Sequence, residues 1–126
     1  MPSYEKFNNR VIIGLYEKVD LLGDKSSRKT VIGRIDTGAT RSSIDVKLAA
    51  SLKLGPVLKT KMVKSAHGAT LRPIVEGVVI IAGKKIKTSF TIADRAKMKY
   101  KLLIGQDVLK NGEFLVDTCN SDNEVG

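Results

Sequence analysis

The sequence has no tryptophan, a single cysteine (Cys119) and a single histidine (His67), and only 5% of its residues are aromatic. A lone cysteine excludes a disulfide framework within the chain. One Cys and one His are also too few for a Cys/His zinc cluster. Sparse aromatics disfavour a stacking platform for single-stranded nucleic acid. No apolar run approaches the length of a membrane span, so no membrane association is expected. The stretch Met1 to Arg10 is polar and mixed, unlike a secretory signal. The expected compartment is the cytoplasm.

What is present fits one soluble domain, residues 1–126, with flexible ends at 1–10 and 119–126. Hydrophobic residues make up 42% and charged residues 28%, the balance of a globular chain. Lys and Arg total 22 against 13 Asp and Glu, a formal charge of +9. The cations are dispersed, over Lys25 to Lys29, Lys59 to Lys64, Lys84 to Lys87 and Arg95 to Lys101. No motif that reads nucleic acid accompanies them, so nucleic acid is not the expected partner. The excess still favours anionic partners, an acidic peptide among them.

The pattern is mainly β. Val11 to Leu22 reads as a bent strand or strand pair, and Lys29 to Asp36 as a strand with Val31, Gly33 and Ile35 on one face. Ser43 to Leu54 reads as a short helix with Ser43 as its N-cap, stopped by Gly55-Pro56. Lys59 to Ala66 and Ile74 to Ile81 are β-rich, with His67-Gly68-Ala69 as a tip between them. Ile86, Thr88, Phe90 and Ile92 alternate with polar residues, as a half-buried strand requires. Lys101 to Ile104 is an apolar run ended by Gly105. Asp107 to Lys110 reads as a helical turn, and Phe114 to Val116 as a last strand.

One segment carries chemistry. In Ile35-Asp36-Thr37-Gly38-Ala39 a strand delivers a carboxylate, then a hydroxyl, then a glycine in a tight turn. A strand end is rigid, and Gly38 permits close backbone approach. Taken alone, the same residues also read as a strand followed by an Asx turn. The second feature is Leu102-Leu103-Ile104-Gly105-Gln106-Asp107, an apolar strand that ends at a glycine.

Together these segments resemble the retropepsin-like aspartic protease family. In that family a strand ending in Asp-Thr-Gly-Ala precedes a glycine-tipped hairpin flap, and an apolar strand ending in Gly precedes a short helix. The resemblance runs from about Val11 to Asp117. It is nearest to a prokaryotic subgroup often labelled "ATP-dependent zinc protease", through Asp36 to Ala39, Met98 to Lys101 before Leu102 to Gly105, and Gly112 to Asp117. The implied fold is a closed β-barrel with one or two short helices. The residues do not suit the label's cofactors. No His-Glu-x-x-His is present, and Gly77 to Lys85 has the wrong spacing and no hydroxyl for a P-loop. No metal and no cofactor are expected.

The resemblance implies an aspartic endopeptidase in which two carboxylates share one proton. Only one Asp-Thr-Gly is present, so the chemistry implies a homodimer in which each subunit contributes Asp36. Thr37, Gly38 and Ala39 are the supporting loop, with Thr37 making cross-dimer contacts. Ser65, Ala66, His67 and Gly68 are the flap, and Ile104 and Gly105 the second loop. Ala39 offers no hydroxyl to the carboxylates, so activity is expected at mildly acidic to near-neutral pH. Viral members carry an acid and an Arg where Thr40 and Gln106 stand here, so that ion pair is missing. The competing reading is a non-catalytic module of the same fold that grips a peptide by strand addition. A basic barrel that binds nucleic acid is a more remote one.

Overall fold

The computed structural model describes residues 3–55, 57–66 and 68–126. Among the described residues, ten strands and two short helices follow one another: β1 (Lys6–Phe7), β2 (Arg10–Ile13), β3 (Tyr16–Leu22), β4 (Arg28–Ile35), β5 (Ser43–Asp45), α1 (Val46–Ser51), β6 (Val57–Ser65), β7 (Gly68–Ile81), β8 (Lys84–Ala93), β9 (Leu102–Ile104), α2 (Gln106–Asn111) and β10 (Leu115–Val116). Among the described residues no helix is long and apolar enough to cross a membrane.

Alternating side chains drive the architecture. Val19 and Leu21 on β3, Ile35 on β4, Val79 and Ile81 on β7, and Ile86 and Phe90 on β8 all turn inward and are buried. A sheet with one apolar face must bury it, and here it does so by closing on itself. β3 runs antiparallel to β4, β4 parallel to β9, and β9 antiparallel to β5. β5 runs parallel to β8, β8 antiparallel to β7, and β7 returns to β3. These six strands form a closed barrel, the fold expected from the sequence. β6 continues the sheet outward from β7 and makes with it a long hairpin, with Ser65 opposite Gly68. Leu102 and Ile104 of β9 and Val108 of α2 pack into the core with no exposure. Each such side chain contributes about 1.5–3 kcal/mol of burial.

Gly77 shows how tightly this core is filled. A Cβ there would lie 2.7 Å from the Phe90 ring. Gly77 therefore holds its place for want of room, not for its backbone angles.

The helix after β5 starts later than the sequence suggested. Ser43, Ile44 and Asp45 pair with β8 and β9, so Ser43 is a strand residue and not the N-cap. Asp45 is the cap, accepting from the backbone N–H of Lys47 and Leu48. It also accepts from the N–H of Arg95 at 2.8 Å. Burial favours the neutral acid, but these three N–H bonds outweigh it and hold the Asp45 carboxyl below the usual carboxylate range. Because the folded-state value is the lower one, the stabilisation is present above the unfolded value of about 3.9 and is lost as pH falls through the folded value. Replacing Asp45 by Ala is expected to cost about 1–2 kcal/mol at pH 7. Asp45→Asn should flatten the fall in melting temperature between pH 6 and pH 3. Thermal denaturation across that range checks both, and equal pH slopes would refute the second.

A three-stranded sheet packs at one end, with β2 between β1 and β10. Asn8 and Asn9 turn β1 into β2 with φ of 51° and 64°, angles that suit a two-residue hairpin and that Asn tolerates. At the other end of the chain Asn120 O accepts from Leu15 N at 2.9 Å. Asn123 reaches Tyr16 O, and Val125 N donates to the Tyr100 hydroxyl at 2.8 Å. Tyr100 in turn stacks on Tyr16.

Candidate active site

β4 stops at Ile35 opposite Ile104 of β9, and the next N–H, that of Asp36, still donates to Ile104 O at 2.8 Å. The chain then folds back. Asp36 Oδ1 accepts from Gly38 N at 2.9 Å, and Ala39 N donates to Asp36 O at 3.3 Å. The carboxylate is therefore aimed by its own turn, the Asx geometry that Asp favours. Asp36 is half-buried, while Thr37 and Gly38 are exposed. A Cβ on Gly38 would come within 3.3 Å of Asp36 Oδ1, so the glycine keeps that side of the carboxylate clear.

A second loop locks the first. Gln106 N donates to Ala39 O at 2.8 Å and Asp107 N to Thr40 O at 3.3 Å. The Gln106 amide donates to Thr37 O at 2.8 Å. A neutral side chain thus grips the backbone of the turn. Gly105 admits no side chain, because a Cβ would lie 2.8 Å from Ala39 O and from the Arg41 carbonyl carbon. Thus Asp36, Thr37, Gly38 and Ala39 are brought together with Ile104 and Gly105.

Two residues that the sequence reading did not single out as site residues hold the loops from below. Ser42 is fully buried. Its hydroxyl donates to Asp107 Oδ1 at 2.7 Å and accepts from Gly105 N at 2.9 Å. Asp107 also takes the N–H groups of Ser42 and Val108, and the Thr88 hydroxyl at 3.4 Å. One carboxylate thus ties the Asp36 loop, the start of α2 and β8.

The β6–β7 hairpin supplies the opposite wall. Of its expected tip residues, Ser65 ends β6, Ala66 is an exposed turn residue and Gly68 begins β7 at φ +115°, an angle suited to glycine. His67 lies outside the described residues. A cavity of about 300 Å³ separates the hairpin's arms from the segment after Ala39. Its described walls come from Lys61, Met62, Lys64 and Arg72 of the arms, rather than from Ala66 or Gly68. On another side Arg95 is half-buried, with Nε donating to Tyr100 O at 3.0 Å. Burial lowers the pKa of its guanidinium, and the Arg34 charge adds to this. Asp45 opposes the shift, Arg72 reinforces it, and Asp36 opposes it more weakly. Among the described residues no three His, Cys, Asp or Glu side chains converge to hold a metal.

Solved structures share this fold. Lpg0085 of Legionella pneumophila subsp. pneumophila str. Philadelphia 1, a protein of unknown function (DUF785), is 19% identical with a TM-score of 0.65, over 92% of this chain and 98% of that one. The EIAV protease complexed with the inhibitor HBY-793 is 18% identical with a TM-score of 0.61, over 90% of this chain and 99% of that one. The simian foamy virus (mac) protease is 16% identical with a TM-score of 0.54, over 75% of this chain and 91% of that one. At these identities the likeness is one of fold. No curated protein matches the sequence. The profile of the RimB-like family, described as "Retropepsin-like aspartic endopeptidase RimB", matches residues 47–124, a stretch that begins in α1, beyond the Asp36 turn and β5, and takes in the hairpin and the second loop. That match spans more than half of the chain and agrees with the barrel: this chain belongs to the RimB-like, retropepsin-like aspartic endopeptidase family.

Proposed function

We propose that the protein is a homodimeric aspartic endopeptidase whose site is completed by two copies of Asp36. The observation that carries this reading is the Asp36 turn. The turn fixes one carboxylate oxygen through Gly38 N and leaves the flanking Thr37 and Gly38 exposed for a second copy. Two such turns, face to face, bring two carboxylates onto one proton. One carboxylate draws a proton from water as the water attacks the peptide carbonyl. The other gives its proton to the carbonyl oxygen, and the tetrahedral adduct collapses with proton transfer to the leaving amine. Thr37, Gly38 and Ala39 hold the turn, Ile104 and Gly105 support it, and the β6–β7 hairpin with Ser65 to Gly68 at its tip closes over the peptide. No metal or organic cofactor enters the scheme. A cytoplasmic peptide or protein is the proposed substrate.

The test is incubation with a mixed peptide library between pH 4 and pH 7, read by mass spectrometry over a range of protein concentrations. Internal cleavage is expected, with a rate per chain that climbs as dimer forms. Peptides bound but never cut, at concentrations where the protein is dimeric, would favour the peptide-binding module.

A further inference from the structure

We infer that Lys101 is a positioning residue for peptide binding: its ammonium holds the segment 94–100 as a rigid rim of the cleft beside Asp36. This role rests on the reading of the cleft as the place where a peptide is bound, and it names what keeps one side of the cleft in shape.

The segment needs such a device. It links β8 to β9, from Asp94 to Tyr100, and contains no glycine, no proline and no β-branched residue. Its own backbone preferences therefore do little to fix it. Lys97, Met98 and Lys99 at its tip are exposed, Met98 by 49%, so packing on the core does not hold them.

The hold comes from one side chain. Lys101 Nζ donates to Arg95 O at 2.9 Å, to Ala96 O at 2.6 Å and to Met98 O at 2.8 Å. An ammonium has three N–H donors, and all three go to this one segment. Each bond starts from a full charge and is stronger than a neutral one. Three carbonyl oxygens drawn to one point repel one another, so the wound shape depends on the cation at its centre. The base of the segment is anchored separately. Arg95 N donates to Asp45 Oδ1 at 2.8 Å, Arg95 Nε to Tyr100 O at 3.0 Å, and Asp45 N to Lys101 O at 2.9 Å. Lys101 thus winds the tip onto a base already fixed to β5.

The position of the segment makes its shape matter. Thr91 of β8 is a wall of the 300 Å³ cavity and pairs with Ser43, another wall. Two residues on, Ala93 pairs with Asp45, and the chain leaves the sheet as this segment. It returns as β9, whose last residue, Ile104, takes the Asp36 N–H. A rim that is ordered in advance spares a bound peptide the entropy of ordering it, and a loose rim does not. Lys101 therefore acts on binding and not on the bond-breaking step.

The test compares wild type with Lys101→Ala. Amide hydrogen exchange within 94–100 is expected to quicken by about tenfold or more, with β7 and β8 unchanged. KM for the best-cut library peptide should rise about tenfold, with kcat within about twofold. In an Asp36→Asn background the Kd of a library peptide should shift by a similar factor, a readout that needs no cleavage. Added n-propylammonium supplies the missing ammonium and should restore both the slow exchange and the tight binding. Tetramethylammonium, of equal charge but without N–H groups, should restore neither. Lys101→Arg keeps the charge, but its planar fork does not meet three carbonyls at one point, so it should behave more like Lys101→Ala. Unchanged exchange in Lys101→Ala would overturn the hold. A loosened segment with unaltered KM and Kd would overturn its part in binding, as would quickened exchange throughout the barrel, which marks a general structural role. A wild-type protein that never cleaves, but whose peptide Kd still shifts and is rescued, would retire the protease reading and leave this assignment standing.

Discussion

Replacing Asp36 with Asn is expected to reduce peptide cleavage by roughly 10³-fold while leaving the fold intact. The asparagine's side-chain oxygen can still accept from Gly38 N, and the Asp36 N–H bond to Ile104 O belongs to the backbone. The turn therefore survives and only the ionisable group is lost. A dyad without its shared proton can neither activate water nor protonate the peptide carbonyl. The measurement is kcat/KM on the best library peptide, alongside the melting temperature of both proteins. A variant that is folded and still cleaves at a tenth of the wild-type rate would remove Asp36 from the chemistry.

The second large effect belongs to Asp107. Its carboxylate takes Ser42 N, Ser42 Oγ, Val108 N and Thr88 Oγ1. Ser42 is fully buried, so water does not replace the lost acceptor. Asp107→Ala leaves at least two N–H groups and a hydroxyl in need of partners, at about 1–3 kcal/mol for each one that stays unmet. We expect a loss of about 3 kcal/mol, read as a lower urea midpoint with little change in slope. Asp107→Asn keeps one acceptor oxygen and should lose less. Activity should fall further than stability explains. Ser42 Oγ is the acceptor for Gly105 N, and Gly105 is wedged against the carbonyls of Ala39 and Arg41. A destabilisation under about 1 kcal/mol would mean that solvent or a neighbour takes over the carboxylate's bonds.

Much of this was legible in the chain. The alternation through Ile86, Thr88, Phe90 and Ile92 marked β8 correctly because Ile86 and Phe90 turn into the core while Lys85 and Lys87 between and beside them stay exposed. The Asp36 turn and the Gly105 bend stood out because a carboxylate or glycine at an apolar strand's end is a local signal. What stayed hidden was non-local. Ser42 and Asp107 are 65 residues apart, and nothing near either one announces the other. Ser43 looked like a helix cap because a hydroxyl ahead of a helical pattern is the usual cap. Pairing of Ser43 to Asp45 with β8 and β9 overrode that local preference and moved the cap to Asp45. Arg41 carries no local signal either, and only the fold sets it beside Lys61 and Arg72 around one cavity.

The central claim is that one site needs two copies of Asp36, and mixing subunits tests it most directly. Wild type and Asp36→Asn protein are combined in equal amounts, allowed to exchange, and assayed at the same total concentration as wild type alone. If both carboxylates are required, only dimers of two wild-type chains cleave, and activity falls to about a quarter. If each chain carries a complete site, activity falls only to about half, and the shared-site account is wrong.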